Sequence, residues 1–369
     1  MEEEHLYQVA MTLLPFVGAV HAKALVERYG SAAAVFKAPF RELNALEGIG
    51  PVRARSIKSF NDFSVAESEL RFMEEFRIRP LFLNHRDYPR RLLHCYDSPT
   101  LLYYHGNADL NAAKVVAIIG TRSHSEYGRK VTEKLIAGLA GQGVLIVSGL
   151  AFGIDSLAHR MALRSELHTV GVLGHGLDMI YPGRNTQLAR DMVRSGGGLL
   201  SEFRSQTGPD KHHFPIRNRI VAGMCDATVV VETDTRGGSM ITAELANGYN
   251  RDVFAVPGRL DEKKSAGTNY LIRSNKAILL TDAEQLIDTM GWGEKTIRPT
   301  GGLVQRSLFM ELGADEKVIV ELLQSRETVH IDEISNAVDI SSSRIAAAIL
   351  KLELQNIVRM LPGKKYRLN

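Results

Sequence analysis

Between Lys114 and Leu280, short continuous apolar runs alternate with stretches long enough for a helix, and no other feature of the chain constrains its fold as tightly. The runs are Val115-Val-Ala-Ile-Ile119, Val144-Leu-Ile-Val147, Thr169-Val-Gly-Val-Leu173, Ala227-Thr-Val-Val-Val231, Val253-Phe-Ala-Val256 and Ala277-Ile-Leu-Leu280. Each has strand length and little polarity on either face, as a strand buried on both sides requires. The stretches from Glu126 to Ala140, Ile154 to Leu163, Thr186 to Arg194, Arg217 to Met224 and Ser239 to Ala246 supply intervening helices. The expected fold class is α/β, a parallel sheet covered by helices, with ligands bound at the carboxyl ends of the strands.

Function is therefore sought in the strand-to-helix turns. Gly120-Thr121-Arg122-Ser123 follows the first run and combines a close-approach glycine with a hydroxyl and a guanidinium suited to phosphate. Ser148-Gly149-Leu150-Ala151-Phe152-Gly153 follows the second, Gly174-His175-Gly176-Leu177 the third, and Arg236-Gly237-Gly238-Ser239 the fourth. Lys211-His212-His213-Phe214-Pro215-Ile216-Arg217-Asn218-Arg219 concentrates cations where a helix begins, and free N–H groups beside fixed cations suit an anion. The dinucleotide fingerprint Gly-x-Gly-x-x-Gly is missing after the first run, and no P-loop occurs. What remains favours a polyanion along the sheet edge, with Phe214 to stack on a base and Lys211, Arg217 and Arg219 for phosphates.

Composition sets limits. The 369 residues are 44% hydrophobic and 24% charged, enough for two or three domains and a sizeable core. The formal net charge is only +3, so any nucleic-acid affinity has to come from a local cluster. The two cysteines, Cys95 and Cys225, lack metal spacing, and Met-Glu-Glu-Glu does not open a signal peptide. A reduced, cytoplasmic protein without disulfides, metal or cofactor is expected. No apolar run approaches the roughly 20 residues of a membrane span, so no membrane insertion is expected.

Residues 1–63 hold a short repeat. Leu13 to Leu25 and Leu43 to Arg55 each place a glycine turn between helix-like stretches, the second with Gly48, Gly50, Arg53, Arg55 and Lys58. The pair resembles helix-hairpin-helix units in a small helical, SAM-like domain, whose turns either approach DNA phosphates or serve packing alone. Residues 64–109, broken by Pro80, Pro89 and Pro99, read as a connector to a central domain at 110–290. After a linker at 291–314, residues 315–369 read as a helix-turn-helix with a wing, Ser341 capping a helix from Ser342 to Leu354. That segment carries eight basic and eight acidic side chains, and its recognition helix offers only Arg344 and Lys351. Protein contact or dimer support is as well matched as duplex reading, which requires a basic face.

Taken in order, Ile119-Gly-Thr-Arg122, Ser148-Gly-Leu-Ala-Phe-Gly-Ile-Asp155 with Ala158-His159, Gly176-Leu-Asp178 with Tyr181-Pro182, His213-Phe-Pro-Ile-Arg-Asn-Arg-Ile220, and Gly238-Ser239 with Thr242-Ala243 resemble the DNA-processing protein A family, DprA or Smf. The resemblance runs through about residues 80 to 290. It implies an extended Rossmann-like domain, here flanked by the helix-hairpin-helix and winged-helix domains. It also implies a homodimer that binds single-stranded DNA, protects it and loads the recombinase RecA during natural transformation. By motif matching, Arg122, Lys211, Phe214, Arg217, Asn218 and Arg219 would line the strand-binding pocket. Gly120, Thr121, Ser148, Gly149, Gly237, Gly238 and Ser239 would add backbone and hydroxyl contacts, and Arg184 a further cation.

Other features carry plainer readings. Asp155 and His159 lie four apart on a helix without an evident third ligand, which favours a helix-surface hydrogen bond or a packing contact over catalysis or metal. Gly237-Gly-Ser-Met-Ile-Thr-Ala-Glu244 resembles the Pro-Gly-Gly-x-Gly-Thr-x-x-Glu loop of nucleoside-monophosphate phosphoribohydrolases, but Arg236 and Ser239-Met240 stand where proline and Gly-Thr are required. A non-enzymatic DNA-binding protein is the expectation. A phosphoribohydrolase and a duplex-binding regulator acting through the winged helix are the alternatives.

Overall fold

The computed structural model describes residues 2–293, 312–355 and 357–369. They form two units, residues 1–281 and 282–369. The expected linker at 291–314 falls largely outside the described residues.

The first unit opens with six helices, α1 (Glu2–Thr12), α2 (Ala19–Tyr29), α3 (Ala32–Lys37), α4 (Phe40–Ala45), α5 (Gly50–Ser59) and α6 (Ser64–Glu75). Gly48, between α4 and α5, and Gly50, the first residue of α5, adopt φ of 78° and 63°, a conformation that favours glycine in this turn. Arg53 does not reach outward from the hairpin. Its guanidinium donates to the carbonyls of Phe16 (2.9 Å) and Gly48 (3.1 Å), tying the two hairpin turns together. Lys58 likewise donates to the Phe36 carbonyl at 2.8 Å.

The sheet follows, with β1 (Arg79–Phe82), α7 (Arg90–Leu93), β2 (Leu101–Gly106), β3 (Lys114–Ile119), α8 (Glu126–Gly138), β4 (Val144–Ser148), α9 (Ile154–Arg164), β5 (Thr169–Leu173), α10 (Thr186–Arg194) and β6 (Gly198–Ser201). It continues through α11 (His213–Gly223), β7 (Ala227–Val230), α12 (Gly238–Gly248), β8 (Asp252–Ala255), α13 (Ala266–Arg273) and β9 (Ile278–Leu279). The nine strands lie in the order β1-β2-β6-β5-β4-β3-β7-β8-β9. From β6 to β9 all pairings are parallel, whereas β2 joins β6, and β1 joins β2, in antiparallel fashion. All six expected runs are strands. The extended Rossmann-like architecture is present, with mixed rather than purely parallel pairing.

The extension corrects one expectation. Residues 64–109 are not a connector, because α6, β1 and β2 are structural members of the unit. Leu101 and Tyr103 face the core of the hairpin helices, while Leu102 and Tyr104 face the core of the sheet. That period of two is what a strand between two cores demands. Pro80 is tolerated because β1 is the edge strand.

The second unit contains α14 (Ala283–Thr289) and a winged helix: α15 (Ala314–Gln324), β10 (Val329–His330), α16 (Ile331–Ala337), α17 (Ser342–Leu354), β11 (Val358–Leu361) and β12 (Lys365–Leu368). Its core gathers Ile319, Leu323, Ile334, Ile345, Leu352 and Val358. Ser341 occupies the cap position of α17 without bonding its helix N–H groups. Both cations of α17 are engaged internally, Arg344 with Asp315 at 2.6 Å and Lys351 with Glu316 at 2.6 Å.

Candidate nucleic-acid interface

The chain runs outward from β3 through β4 and β5 to β6, then returns to place β7 on the other side of β3. Loops on the two sides of such a switch diverge and leave a crevice. Here the crevice is a cavity of about 480 Å3. The turn after β3 supplies Gly120, Thr121 and Arg122, and the turn after β4 supplies Gly149. The approach to α11 brings Lys211, Phe214, Arg217 and Asn218, and the start of α12 brings Gly237, Gly238 and Ser239. Most of the residues expected at the site thus converge.

One wall is the N-terminus of α12. Gly237, at the cap position, has no side chain to satisfy the first N–H groups. Ser239 is 8% exposed, and its hydroxyl has no hydrogen-bond partner among the described residues. Opposite stand two exposed cations, Arg122 and Lys211, neither with a carboxylate partner among the described residues. Arg122 lies over the Phe214 ring, 5.3 Å from its centroid. Phe214 is half-buried and sits 6.2 Å from the Tyr181 ring. Helix-start donors and exposed cations around one cavity are an arrangement that suits a phosphate, and an aromatic ring beside them is one that suits a base.

Several residues do not occupy the expected positions. Arg217 reaches the cavity but is 4% exposed, its guanidinium donating to the Gly149 and Val172 carbonyls. A Cβ on Gly149 would collide with that guanidinium, so the absence of a side chain there makes room for the arginine. Burial lowers the Arg217 pKa to about 10, although neighbouring Asp155 pulls it upward. Arg219 points away from the cavity and pairs with Glu202 and, at 3.9 Å, with Asp97. Residues two apart on a helix lie about 200° apart, so Arg217 and Arg219 cannot share a face. Ser148 is buried, donating to the Ile118 carbonyl at 2.7 Å. Arg184 is exposed and outside the cavity.

Sequence reasoning left Asp155 out of the site and did not consider Asp234, and both line the cavity. Of the two plain readings, the packing contact fits: Asp155 is buried, and burial raises its pKa against the pull of Arg217. His159 is buried beneath it with Nδ1 2.7 Å from the Thr169 hydroxyl, and burial lowers its pKa to about 3. The signal was available in the position of Asp155 in the first turn after a glycine loop, where a carboxylate is favoured. Glu244 is exposed, pairs with Lys276 at 3.3 Å and does not line the cavity.

In chain order, a hairpin-helix region, a Rossmann-like sheet with a cation-lined cavity at its switch point and a winged helix are the parts of a class of nucleic-acid-handling proteins. The family profile described as DNA recombination-mediator protein A matches residues 79–291, a helix-hairpin-helix motif matches 9–68, and the DprA winged helix domain matches 310–364. The chain belongs to the DNA recombination-mediator protein A family, DprA/Smf. Protein Smf of Synechocystis is 32% identical over 99% of this chain and 98% of its own length. DNA processing protein DprA of Streptococcus pneumoniae is 43% identical over 58% of this chain and 75% of its own. An X-ray structure of the pneumococcal protein aligns with a TM-score of 0.64 at 34% identity, covering 78% of this chain and 96% of that one. DNA processing protein A from Helicobacter pylori, solved to explain its single-stranded DNA binding mode, aligns with a TM-score of 0.53 at 33% identity over 58% of this chain and 95% of that one. Among the described residues, no helix is long and apolar enough to cross a membrane.

Proposed function

We propose that this protein binds single-stranded DNA in the switch-point cavity without catalysing a reaction on it, and that it acts as a homodimer delivering the strand to the recombinase RecA during natural transformation. The observation that carries the binding reading is the pair of unpartnered cations, Arg122 and Lys211, facing the α12 N-terminus beside an accessible aromatic ring. The strand-binding relative from Helicobacter pylori supports it, and the mediator description of the family supports the role in recombination. Glu244, outside the cavity, lends no support to a hydrolase.

The test is a fluorescence-anisotropy titration with labelled oligo-dT at several salt concentrations. Arg122→Ala should weaken binding and reduce the salt slope by about 0.7, the share of one phosphate contact on a single strand. Unchanged affinity in both Arg122→Ala and Lys211→Ala would remove the cavity from consideration. Release of adenine from AMP at enzyme-like rates would reverse the non-catalytic reading. For the recombinase role, the wild-type protein should accelerate RecA assembly on single-stranded DNA.

A further inference from the structure

A second hollow adjoins the cavity and shares Arg122, Gly149, Ala151, Phe214 and Arg217 with it. Its remaining lining is Phe152, Leu173, Gly174, Tyr181 and Pro182, with the His175 imidazole as the one polar side chain among them. At about 30 Å3 the hollow itself is too small to admit a base. Its rim is open, however, with Phe152 42% and Tyr181 48% exposed. We infer that Phe152 and Tyr181 form a second nucleobase platform, continuing the strand past Phe214 on the side away from the α12 phosphate site. The inference rests on the single-strand reading above.

Three observations carry it. The Tyr181 and Phe214 rings are 6.2 Å apart and tilted by 31°, nearly twice the roughly 3.4 Å step of a stacked duplex strand. Rings at that spacing suit consecutive bases of an extended strand, each stacked on the protein rather than on its neighbour. The backbone beside each new ring is also fixed by specific contacts. Tyr181 donates its N–H to His175 Nε2 at 3.2 Å, and the other nitrogen of this buried imidazole lies 2.9 Å from the Gly176 carbonyl. Phe152 stands between Leu150, at φ 54°, and Gly153, at φ 80°. The Leu150 carbonyl accepts from Asn185 Nδ2 at 2.8 Å, which holds a non-glycine residue in a conformation it rarely adopts. Finally, the Arg122 guanidinium lies over the Phe214 ring where the two hollows meet, so a phosphate bound there would join a base in one compartment to a base in the next.

The experiment compares Phe152→Ala, Tyr181→Ala, the double variant and Tyr181→Phe with Arg122→Ala, all in the full chain, using oligo-dT and a matched oligonucleotide carrying abasic sites. The expected result is about tenfold weaker oligo-dT binding by the double variant with an unchanged salt slope, since stacking is lost and no phosphate contact is. Tyr181→Phe should bind like wild type, and the abasic strand should not distinguish the double variant from wild type. Wild-type affinity in the double variant, alongside weakened Arg122→Ala, would overturn the platform and leave the cavity reading intact. A flattened slope in the double variant would also overturn it, by assigning the rings to phosphate. Failure of Arg122→Ala to weaken binding would count against the cavity reading itself.

Discussion

Gly128 lacks a side chain because Glu232 occupies the space one would need. The Glu232 carboxylate is buried at the start of α8, where it accepts the Ser125 N–H at 2.9 Å and bonds the Ser125 hydroxyl. Its main-chain carbonyl takes the Thr121 N–H at 2.7 Å, so one residue holds both ends of the segment that carries Arg122. A helix N-terminus suits a buried carboxylate, since its free N–H groups and dipole both favour negative charge. A Cβ at position 128 would come within 2.3 Å of that carboxylate. Gly128→Ala should therefore cost about 1–3 kcal/mol of stability. In urea unfolding followed by circular dichroism, the loss should shrink when Glu232→Ala is added, because the shorter side chain vacates the space. Strictly additive losses would contradict this coupling.

At the scale of one element, α11 is fastened from two sides. Arg217 grips carbonyls at the ends of β4 and β5, while Arg219 meets Glu202 beyond β6 and Asp97 before β2. Between these anchors the helix presents Phe214 and Asn218, four residues apart and on one face, to the cavity. Burial raises the Glu202 pKa, and Arg219 opposes that shift. Arg219→Ala should leave a buried carboxylate unpaired and destabilise the protein by about 3–5 kcal/mol. The folded fraction should keep its salt slope for oligo-dT, and a slope reduced as far as in Arg122→Ala would return Arg219 to the binding surface. The convergence of three of the four glycine turns was legible because strand-to-helix turns at one sheet edge must meet; the fourth, Gly174 to Leu177, places Gly174 and His175 in the adjoining hollow instead. The division of labour between Arg217 and Arg219 was not read, although the helical period already separates them. Composition shows which cations exist, but their internal carbonyl and carboxylate partners decide which remain for a ligand. Strands β1, β2 and β6 were missed for another reason: proline breaks obscured the first two, and the Gly198-Leu-Leu-Ser201 run is only four residues long.

At the scale of the molecule, every residue assigned to the cavity lies in the first unit. The recognition helix of the second has both its cations tied to acids. Residues 1–281 alone should therefore bind oligo-dT within about threefold of the full chain, since phosphate contacts dominate such affinity. A tenfold or greater loss would give the winged helix a direct share. Light scattering should return about twice the 40.8 kDa chain mass if the protein is dimeric, and a single chain mass at working concentration would reject the dimer.

The antiparallel pair β1–β2 has one more consequence. Its two faces serve two cores, so the hairpin helices and the switch-point sheet have no clean seam between them. A cassette that owns all its strands can be deleted, exchanged or grafted by cutting a loop. Here a cut after residue 63 would strip Leu101 and Tyr103 of their cover and leave α6 without the helices it packs on. In this chain the hairpin region and the sheet have to be inherited, engineered and folded together.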